Sequence, residues 1–559
     1  MKTKKGICGR ELLALVAILI FAAILRTYKL SSLPISLFGD ELDIGYQAYS
    51  ILKTGKDYLG NSFPLYFHSF YEYRMPVLVY LTVPAVYLFG LSEISVRLIP
   101  AIFGTLNVLL VWLFFRQLTK NKALSLFSAL TISILPWHFT YSRQAFDVTI
   151  MTSFILLAFI FLDRFLKGNK KSLILVSIFS ALSFYTYPTS IVFFLLFCPL
   201  VFFIYRKMIF KISLKHLIAP GIIFLLLIIP LMVSLVNGEA NGRFSGINIS
   251  SDDKLLDEIH LKRVAKPDFY GRIFHNRFVK YPKVFAENYF ESFSSSFLFF
   301  NGDPNPRHST VGFGMLPIIC LPLLLLGLYE SLKNFGRVEN KFFILWLMVA
   351  PVASALTVDG GAHATRLFLM VVPLVYLISL GLTRFKSKLL SVVFIFLLLA
   401  EFSFFLNQYS VHEPLENWEY YDYGFKEVLL TLRDNENEYE AVFIDNIHDP
   451  SLINFLFWMK TDPEWFLDNY TGQDFKENIV DGYDGFKVGK YYFGTINSHT
   501  SFTDLVDSSK KAYVGFQNTN EIPGDWDWRT SAPDGIEATT SVVIPGVNLP
   551  YMYLLRGSE

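Results

Sequence analysis

Four short stretches of this chain hold residues whose types and spacing could do chemistry. Asp40 and Glu41 form a carboxylate pair just before LDIGYQAYSILKTG, where Leu42, Gly45, Tyr46, Tyr49 and Leu52 recur at helical spacing. A carboxylate held where water meets lipid is partly desolvated and can serve as a general base; a plain helix start, with the acids capping and offsetting the dipole, is the competing account. Arg143 and Asp147 stand four apart in FTYSRQAFDV. They share a face if the following helix begins early, as a local ion pair or as a phosphate ligand and an acceptor-orienting acid. Asp303, Arg307 and His308 lie in NGDPNPRHST, where Pro304 and Pro306 restrict the loop. One Asp and one His are a weak metal signal, because ligand sets need three or four groups; Glu41, Asp147 or His363 could complete such a set only through the fold. A simple turn leading into the membrane is the alternative. His363 and Arg366 lie in DGGAHATRLFLM, and a guanidinium there stays charged at any working pH and matches phosphate with two bonds.

The elements that must position these residues are membrane helices. With 53% hydrophobic and 17% charged residues over 559 positions, the chain is too apolar for a soluble protein of this size. Runs near 11–30, 95–115, 123–140, 146–163, 172–187, 189–205, 216–236, 311–330, 342–358, 365–383 and 389–406 approach the roughly 20 residues that span a bilayer, giving about eleven spans. Lysine and arginine collect on alternate connections: Lys2/Lys4/Lys5/Arg10, Arg116/Lys120/Lys122, Arg164/Lys167/Lys170/Lys171, Arg206/Lys207/Lys211/Lys215, Lys333/Arg337/Lys341 and Arg384/Lys386/Lys388. The positive-inside rule makes that set cytoplasmic. The N-terminus is then cytoplasmic, the C-terminus extracytoplasmic, and all four candidate stretches fall on the outer side. Arg366 opposes the charge rule, so topology does not account for it.

Three regions are not read as spans. Residues 31–94 form a first outer loop in which PVLVYLTVPAVYLFG is short, is broken by Pro84 and reads as an interfacial helix. Residues 237–310 form a long polar outer loop. The tail, 407–559, mixes YGFKEVLLTLRD with YEAVFI, KAYVGF and TTSVVI and reads as a small extracytoplasmic α/β domain. Tyr185, Tyr187 and Pro188, with Trp137 and His138, fall at outer span ends as an aromatic belt; some could pack a sugar ring. Cys8, Cys198 and Cys320 imply no disulfide framework. A net charge of +1 gives no pull toward nucleic acid. The basic and apolar start lacks a clear cleavage site and reads as an uncleaved first span. The expected fold is therefore a polytopic α-helical membrane protein, with 1–406 as the membrane domain and 407–559 as a second domain.

With Asp40–Glu41 after the first span, an interfacial helix pair before the second, SRQAFD at the next turn, GDPNPRH before a later span and HATR opening another, residues 1 to about 405 resemble the GT-C glycosyltransferases. The closest likeness is to the protein O-mannosyltransferase and aminoarabinose transferase branch, glycosyltransferase family 39 and its bacterial relatives. That resemblance implies transfer of a sugar, with inversion, from a polyprenyl-phosphate donor to a lipid, protein or glycan acceptor on the outer face of the plasma (inner) membrane. It implies Asp40 as general base supported by Glu41, Asp147 orienting the acceptor, and Arg366 with Arg143 or Arg307 at the donor phosphate. Asp303, His308, His363 and Tyr187 are expected to bind substrate. Where many relatives have paired prolines, this chain has YEYRMP with only Pro76. No obligatory cofactor is expected, since arginines can serve a phosphate leaving group; a divalent metal is the alternative left open. Two other functions compete: a transporter or flippase of a lipid-linked sugar, which would favour charges near the midplane and related halves, and an envelope-assembly scaffold acting through the tail.

Overall fold

A computed structural model describes residues 9–70, 73–236, 246–446, 451–497, 501–519 and 522–558. Lys2, Lys4, Lys5, Cys8 and Glu72 lie outside the described residues. The chain divides into two compact units: Met1–Tyr28, Leu65–Leu78 and Arg97–Tyr409 form one, and Lys29–Pro64, Val79–Val96 and Ser410–Glu559 form the other.

The first unit is built of helices because its sequence is long apolar runs broken by Gly, Pro and charged connections. Among the described residues six helices are long and apolar enough to cross a membrane: Glu93–Thr119, Val148–Leu166, Thr189–Ile209, Lys215–Ser234, Val338–Ala355 and Lys388–Glu416. Other apolar runs give shorter helices, such as Lys122–Ser133, Ser172–Phe184 and Cys320–Lys333. The 14 residues of Cys320–Lys333 reach only about 21 Å at 1.5 Å per residue. Val148–Leu166 is central, with 72% of its apolar window buried, whereas Lys215–Ser234 and Lys388–Glu416 bury 17% and turn leucines, isoleucines and phenylalanines outward. Such outward apolar faces suit lipid.

Two devices hold helices at close range. Gly327 and Gly381 face each other between Cys320–Lys333 and Val371–Leu382; a methyl group on Gly327 would come within 1.8 Å of the Leu377 carbonyl oxygen. Backbones therefore approach as small-residue helix pairs do in membranes. Glu401, inside an apolar helix, accepts hydrogen bonds from the backbone N–H of Ile318 at 2.5 Å and Ile319 at 3.0 Å. It thereby satisfies donors at the start of Cys320–Lys333 that lack a helical partner.

The stretch 237–310, expected as a polar outer loop, is largely helical where described, with Asp253–Ala265, Phe269–Phe274 and Arg277–Glu291 capped by the Asp252, Asp268 and Asn276 side chains. Polar caps rather than apolar periodicity set these helices, which is why composition alone reads them as loop.

In the second unit a seven-stranded sheet carries the tail. Numbering from the small ribbon β1 (Phe67–His68) and β2 (Tyr73–Arg74) of the first unit, the strands are β3 (Ala441–Asp445), β4 (Lys476–Val480), β5 (Tyr483–Val488), β6 (Tyr491–Ile496), β7 (Lys511–Phe516), β8 (Ile536–Val543) and β9 (Pro550–Gly557). Their order is β4-β5-β6-β3-β7-β9-β8, with β3 parallel to both β6 and β7 and the other pairs antiparallel. The central β3 is buried from Val442 to Asp445, as a strand flanked by parallel neighbours must be. Phe443, Tyr483, Tyr513, Trp528 and Tyr553 centre its core.

The helix Gly39–Thr54, from the stretch expected as a first outer loop, packs into this same unit. Gly45 lies against Phe457 and Val96, so closely that a methyl there would meet the Phe457 ring at 2.5 Å. The Tyr46 hydroxyl donates to the Thr461 carbonyl at 3.0 Å, and Tyr58 donates to Asp43 at 2.5 Å. Residues 41–48 are all buried, so this helix is covered by the protein on every side.

Candidate functional site

Asp40 and Glu41 occupy the first turn of Gly39–Thr54, where negative charge suits the positive end of the helix dipole. They do not cap it: the cap position is Phe38, in extended backbone and with no side-chain cap bond. Asp40 is half-buried and Glu41 fully buried.

Arg143 and Asp147 are separated by a turn, because the helix that follows begins at Val148 rather than early. The shared helical face expected from their spacing does not form. Arg143 is 2% exposed and donates to the carbonyls of Leu25 at 2.7 Å and Tyr28 at 2.9 Å and to the Tyr409 hydroxyl at 3.3 Å. Its guanidinium also lies over the Phe139 and Tyr409 rings. A cation there answers the carbonyls at the C-terminal end of Gly9–Thr27. Asp147 is half-buried at the position preceding Val148–Leu166.

Asp303, His308 and His363 come together from two loops. Asp303, 7% exposed, accepts the Asn305 backbone N–H at 2.8 Å on one oxygen; on the other it meets His308 Nδ1 at 2.9 Å and accepts the Ala364 N–H at 2.7 Å. The Asp303 carboxylate thus forms its own Asx turn and fastens the second loop. The His308 and His363 rings are 5.0 Å apart, and one ligand atom from each of Asp303, His308 and His363 lies within 4.8 Å of the others. Burial alone would raise the Asp303 pKa, but the bond and charge of His308, with the two backbone donors, carry it below the ordinary aspartate value. Burial, followed by the nearby Arg366 and His308, pushes His363 down to about 3, so its imidazole is neutral at pH 7. A cavity of about 360 Å³ opens beside these groups, lined also by Glu291 and Asp359.

Arg366 donates to the Thr357 hydroxyl at 2.7 Å and pairs with Asp359, whose side chain is 63% exposed. Burial opposes ionisation of Asp359, and Arg366 outweighs it, holding this carboxyl below its usual range. Thr357 is itself fixed, its carbonyl accepting from the Asn288 amide at 2.7 Å while the backbone nearby pairs with residues 247–249. Arg307 shares the Asp303 loop, and its backbone N–H donates to Asn305 Oδ1 at 3.0 Å. Tyr187 is half-buried at the turn between Ser172–Phe184 and Thr189–Ile209.

Trp137 and His138 are not belt residues. They are 1% and 0% exposed, inside the helical unit. Trp137 Nε1 donates to the Ala364 carbonyl at 3.1 Å and the Tyr141 hydroxyl meets Thr365 Oγ1 at 2.7 Å, so the short helix Pro136–Tyr141 holds the loop that carries His363 and Arg366. His138 Nδ1 meets buried Arg26 at 2.9 Å. Sequence reasoning missed Trp137, Tyr141, Glu291 and Asp359 as parts of this neighbourhood. Asp359, seven residues before Arg366 in the same stretch, was within reach of it; nothing in the sequence marks Glu291.

The sequence profile of the family described as dolichyl-phosphate-mannose-protein mannosyltransferase matches residues 74–233. No curated protein matches the chain. Among solved structures, the chain is similar to ArnT from Cupriavidus metallidurans bound to undecaprenyl phosphate, at 11% identity and a TM-score of 0.49, over 98% of each chain. It is similar to the apo oligosaccharyltransferase of Archaeoglobus fulgidus at 14% identity and a TM-score of 0.47, over 80% of this chain and 64% of that one, so it spans under two thirds of the archaeal enzyme's length. The S. cerevisiae protein O-mannosyltransferase Pmt1–Pmt2 complex bound to the sugar donor matches at 18% identity and a TM-score of 0.33, over 41% of this chain and 33% of that one.

Proposed function

We propose that this chain, which resembles the GT-C glycosyltransferases of the protein O-mannosyltransferase branch, moves a sugar from a polyprenyl-phosphate donor to an acceptor hydroxyl or amine on the extracytoplasmic face of the membrane. The observation that carries the reading is the profile match over 74–233 in a helical membrane chain whose Asp303, His308, His363 and Arg366 gather in loops at helix ends. A lipid-linked donor keeps its tail among apolar helices and its phosphate at their ends, and a departing phosphate needs cationic or hydrogen-bonding partners there.

In the proposed reaction the Asp40 carboxylate takes the acceptor proton as the acceptor atom attacks the anomeric carbon. The bond from that carbon to the phosphate oxygen breaks, its electron pair leaves with polyprenyl phosphate, and displacement from the opposite face inverts the centre. Glu41 supports Asp40, and Asp147 orients the acceptor. Arg366 and Arg307 are assigned to the phosphate; Arg143, whose donors are engaged by Leu25, Tyr28 and Tyr409, is assigned to positioning instead. Tyr187 and the Asp303–His308–His363 group contribute to substrate binding. The N-terminus is cytoplasmic and the sheet-bearing tail extracytoplasmic in this reading.

The test is release of polyprenyl phosphate from a panel of synthetic polyprenyl-phosphate hexoses and pentoses by the purified full chain in lipid nanodiscs. Consumption of one donor, with an acceptor or by slow hydrolysis, is expected. Folded protein that consumes none contradicts the reading.

A further inference from the structure

We infer that the helices Asp253–Ala265, Phe269–Phe274 and Arg277–Glu291 form a seat for anionic phospholipid beside the end of the apolar helix Val338–Ala355. Between residues 261 and 283 the sequence has seven basic residues against one acid, Asp268. The same stretch turns Val264, Phe269, Tyr270, Phe274 and Phe278 outward, Phe278 with 92% of its surface exposed. Large apolar groups bared together mark a binding surface, and with basic neighbours they match a boundary of acyl chains and phosphates.

Two bonds place this surface at lipid level. The Asn288 amide donates to the Thr357 carbonyl at 2.7 Å, and the Tyr289 hydroxyl donates at 2.8 Å to the carbonyl of Met348, a residue within Val338–Ala355. Arg277–Glu291 is thus fastened to an apolar helix whose Met348 side chain is itself exposed. Phe278, Tyr281, Phe285 and Tyr289 recur along one face of Arg277–Glu291, and Lys280, Lys283 and Glu287 along the other. That is the two-sided pattern of a helix lying in an interface.

Between the two longer helices is a cavity of about 340 Å³, lined by His260, Arg263 and Arg277 together with Leu256, Ile259 and Phe278. Guanidiniums suit a phosphate diester, and the apolar residues suit the start of an acyl chain. Glu258 takes up Lys262 and Lys280, at 2.5 and 2.6 Å, and Lys283 pairs with Glu287. Arg263, Lys266, Arg272 and Arg277 have no carboxylate partner among the described residues. The charge left over is therefore positive where the aromatics are bare. An acidic protein is the rival occupant; it accounts for the charge but not for an aromatic face fastened beside a membrane helix.

The experiment measures lipid affinity of the full chain in detergent by native mass spectrometry. Phosphatidylglycerol and phosphatidylcholine are titrated, with glycerol 3-phosphate as the headgroup chemistry without acyl chains. Phosphatidylglycerol is expected to bind about tenfold more tightly than phosphatidylcholine, and glycerol 3-phosphate at equal concentration is expected not to displace it. In a chain carrying both Arg272→Gln and Arg277→Gln, phosphatidylglycerol affinity is expected to fall about thirtyfold, each basic side chain at an anionic surface contributing a factor of about five. Phosphatidylcholine binding and helix content stay those of the wild type. Hydrogen exchange of the wild-type chain in nanodiscs is the second readout and needs no variant: residues 269–280 are expected to exchange more slowly in phosphatidylglycerol than in phosphatidylcholine. Equal affinity for the two lipids, a double variant that binds phosphatidylglycerol as wild type does, or equal exchange in the two nanodiscs overturns the seat and leaves the face to an acidic protein. Displacement by glycerol 3-phosphate makes it a soluble-phosphate site and overturns the lipid assignment. No step of sugar transfer enters these readouts, so failure here leaves the proposed function standing.

Discussion

Arg366 illustrates what a single residue shows in sequence and what it hides. Its opposition to the charge rule marks it as purposeful, but its partners, Thr357 and Asp359, appear only in the folded loop. Replacing it with lysine keeps the charge and loses the planar fork. Arg366→Lys is predicted to lower kcat/KM for the donor by about ten- to a hundredfold, equivalent to the roughly 1.5–3 kcal/mol of a hydrogen bond to a charged group; unchanged donor kinetics would remove Arg366 from the phosphate. Trp137 errs in the other direction. An aromatic at an apparent span end reads as belt, yet this one is buried and bonded to Ala364. Trp137→Phe keeps an aromatic ring, though a smaller one, and removes the indole N–H, leaving a buried carbonyl short of a partner at a cost of about 1–3 kcal/mol. A lower Tm and faster hydrogen exchange over residues 363–366 are expected, and exchange identical to wild type would show that the bond does not hold the loop. The Asp303–His308–His363 group was half legible: the Asp and one His sit in one motif, whereas the second His joins through the fold, over a separation that no local spacing rule covers.

At the scale of elements, apolar periodicity and turn residues carried most of the information. YGFKEVLLTLRD contains the helix Phe425–Asp434, and YEAVFI, KAYVGF and TTSVVI fall on β3, β7 and β8. Helices set by polar caps, like Asp253–Ala265 with a nearly even mix of charge and apolar residues around it, carried no such signal. Helix pairing was illegible too, because Gly327 and Gly381 look like ordinary glycines until their backbones are seen in contact. Gly327→Ala places a methyl against the Leu377 carbonyl and is predicted to destabilise the protein by about 1–3 kcal/mol by overpacking. Gly336→Ala, at a position with no atom within 4 Å of the new methyl, is the control. Thermal unfolding in detergent reads both; equal Tm values would show that the helix pair has room to spare.

For the whole molecule, the positive-inside pattern makes a topological prediction independent of any chemistry. In a cysteine-free background, Lys170→Cys is expected to resist an impermeant maleimide in intact cells, while Glu287→Cys and Val547→Cys react. Labelling of all three alike, or in the reverse sense, would overturn the orientation. The sequence also suggested a simple division near residue 406, whereas contacts group 29–64 and 79–96 with 410–559. Linear composition cannot reveal that grouping, since it rests on packing such as Gly45 against Phe457 and Tyr46 on Thr461, across more than 400 residues. The 29–64 stretch is thus tied to the tail, and the acid assigned as base stands on a helix that the tail's own residues pack against.

The most direct test of the central claim is the transfer rate of Asp40→Asn beside wild type, on whichever donor the wild-type protein consumes, with folding and membrane content matched. The amide nearly preserves size and shape but cannot accept the acceptor's proton; general-base assistance is worth about 10²–10⁴ in rate, so transfer is predicted to fall by at least that range. Transfer by Asp40→Asn within a few-fold of wild type would contradict the assignment of the base and, with it, the mechanism.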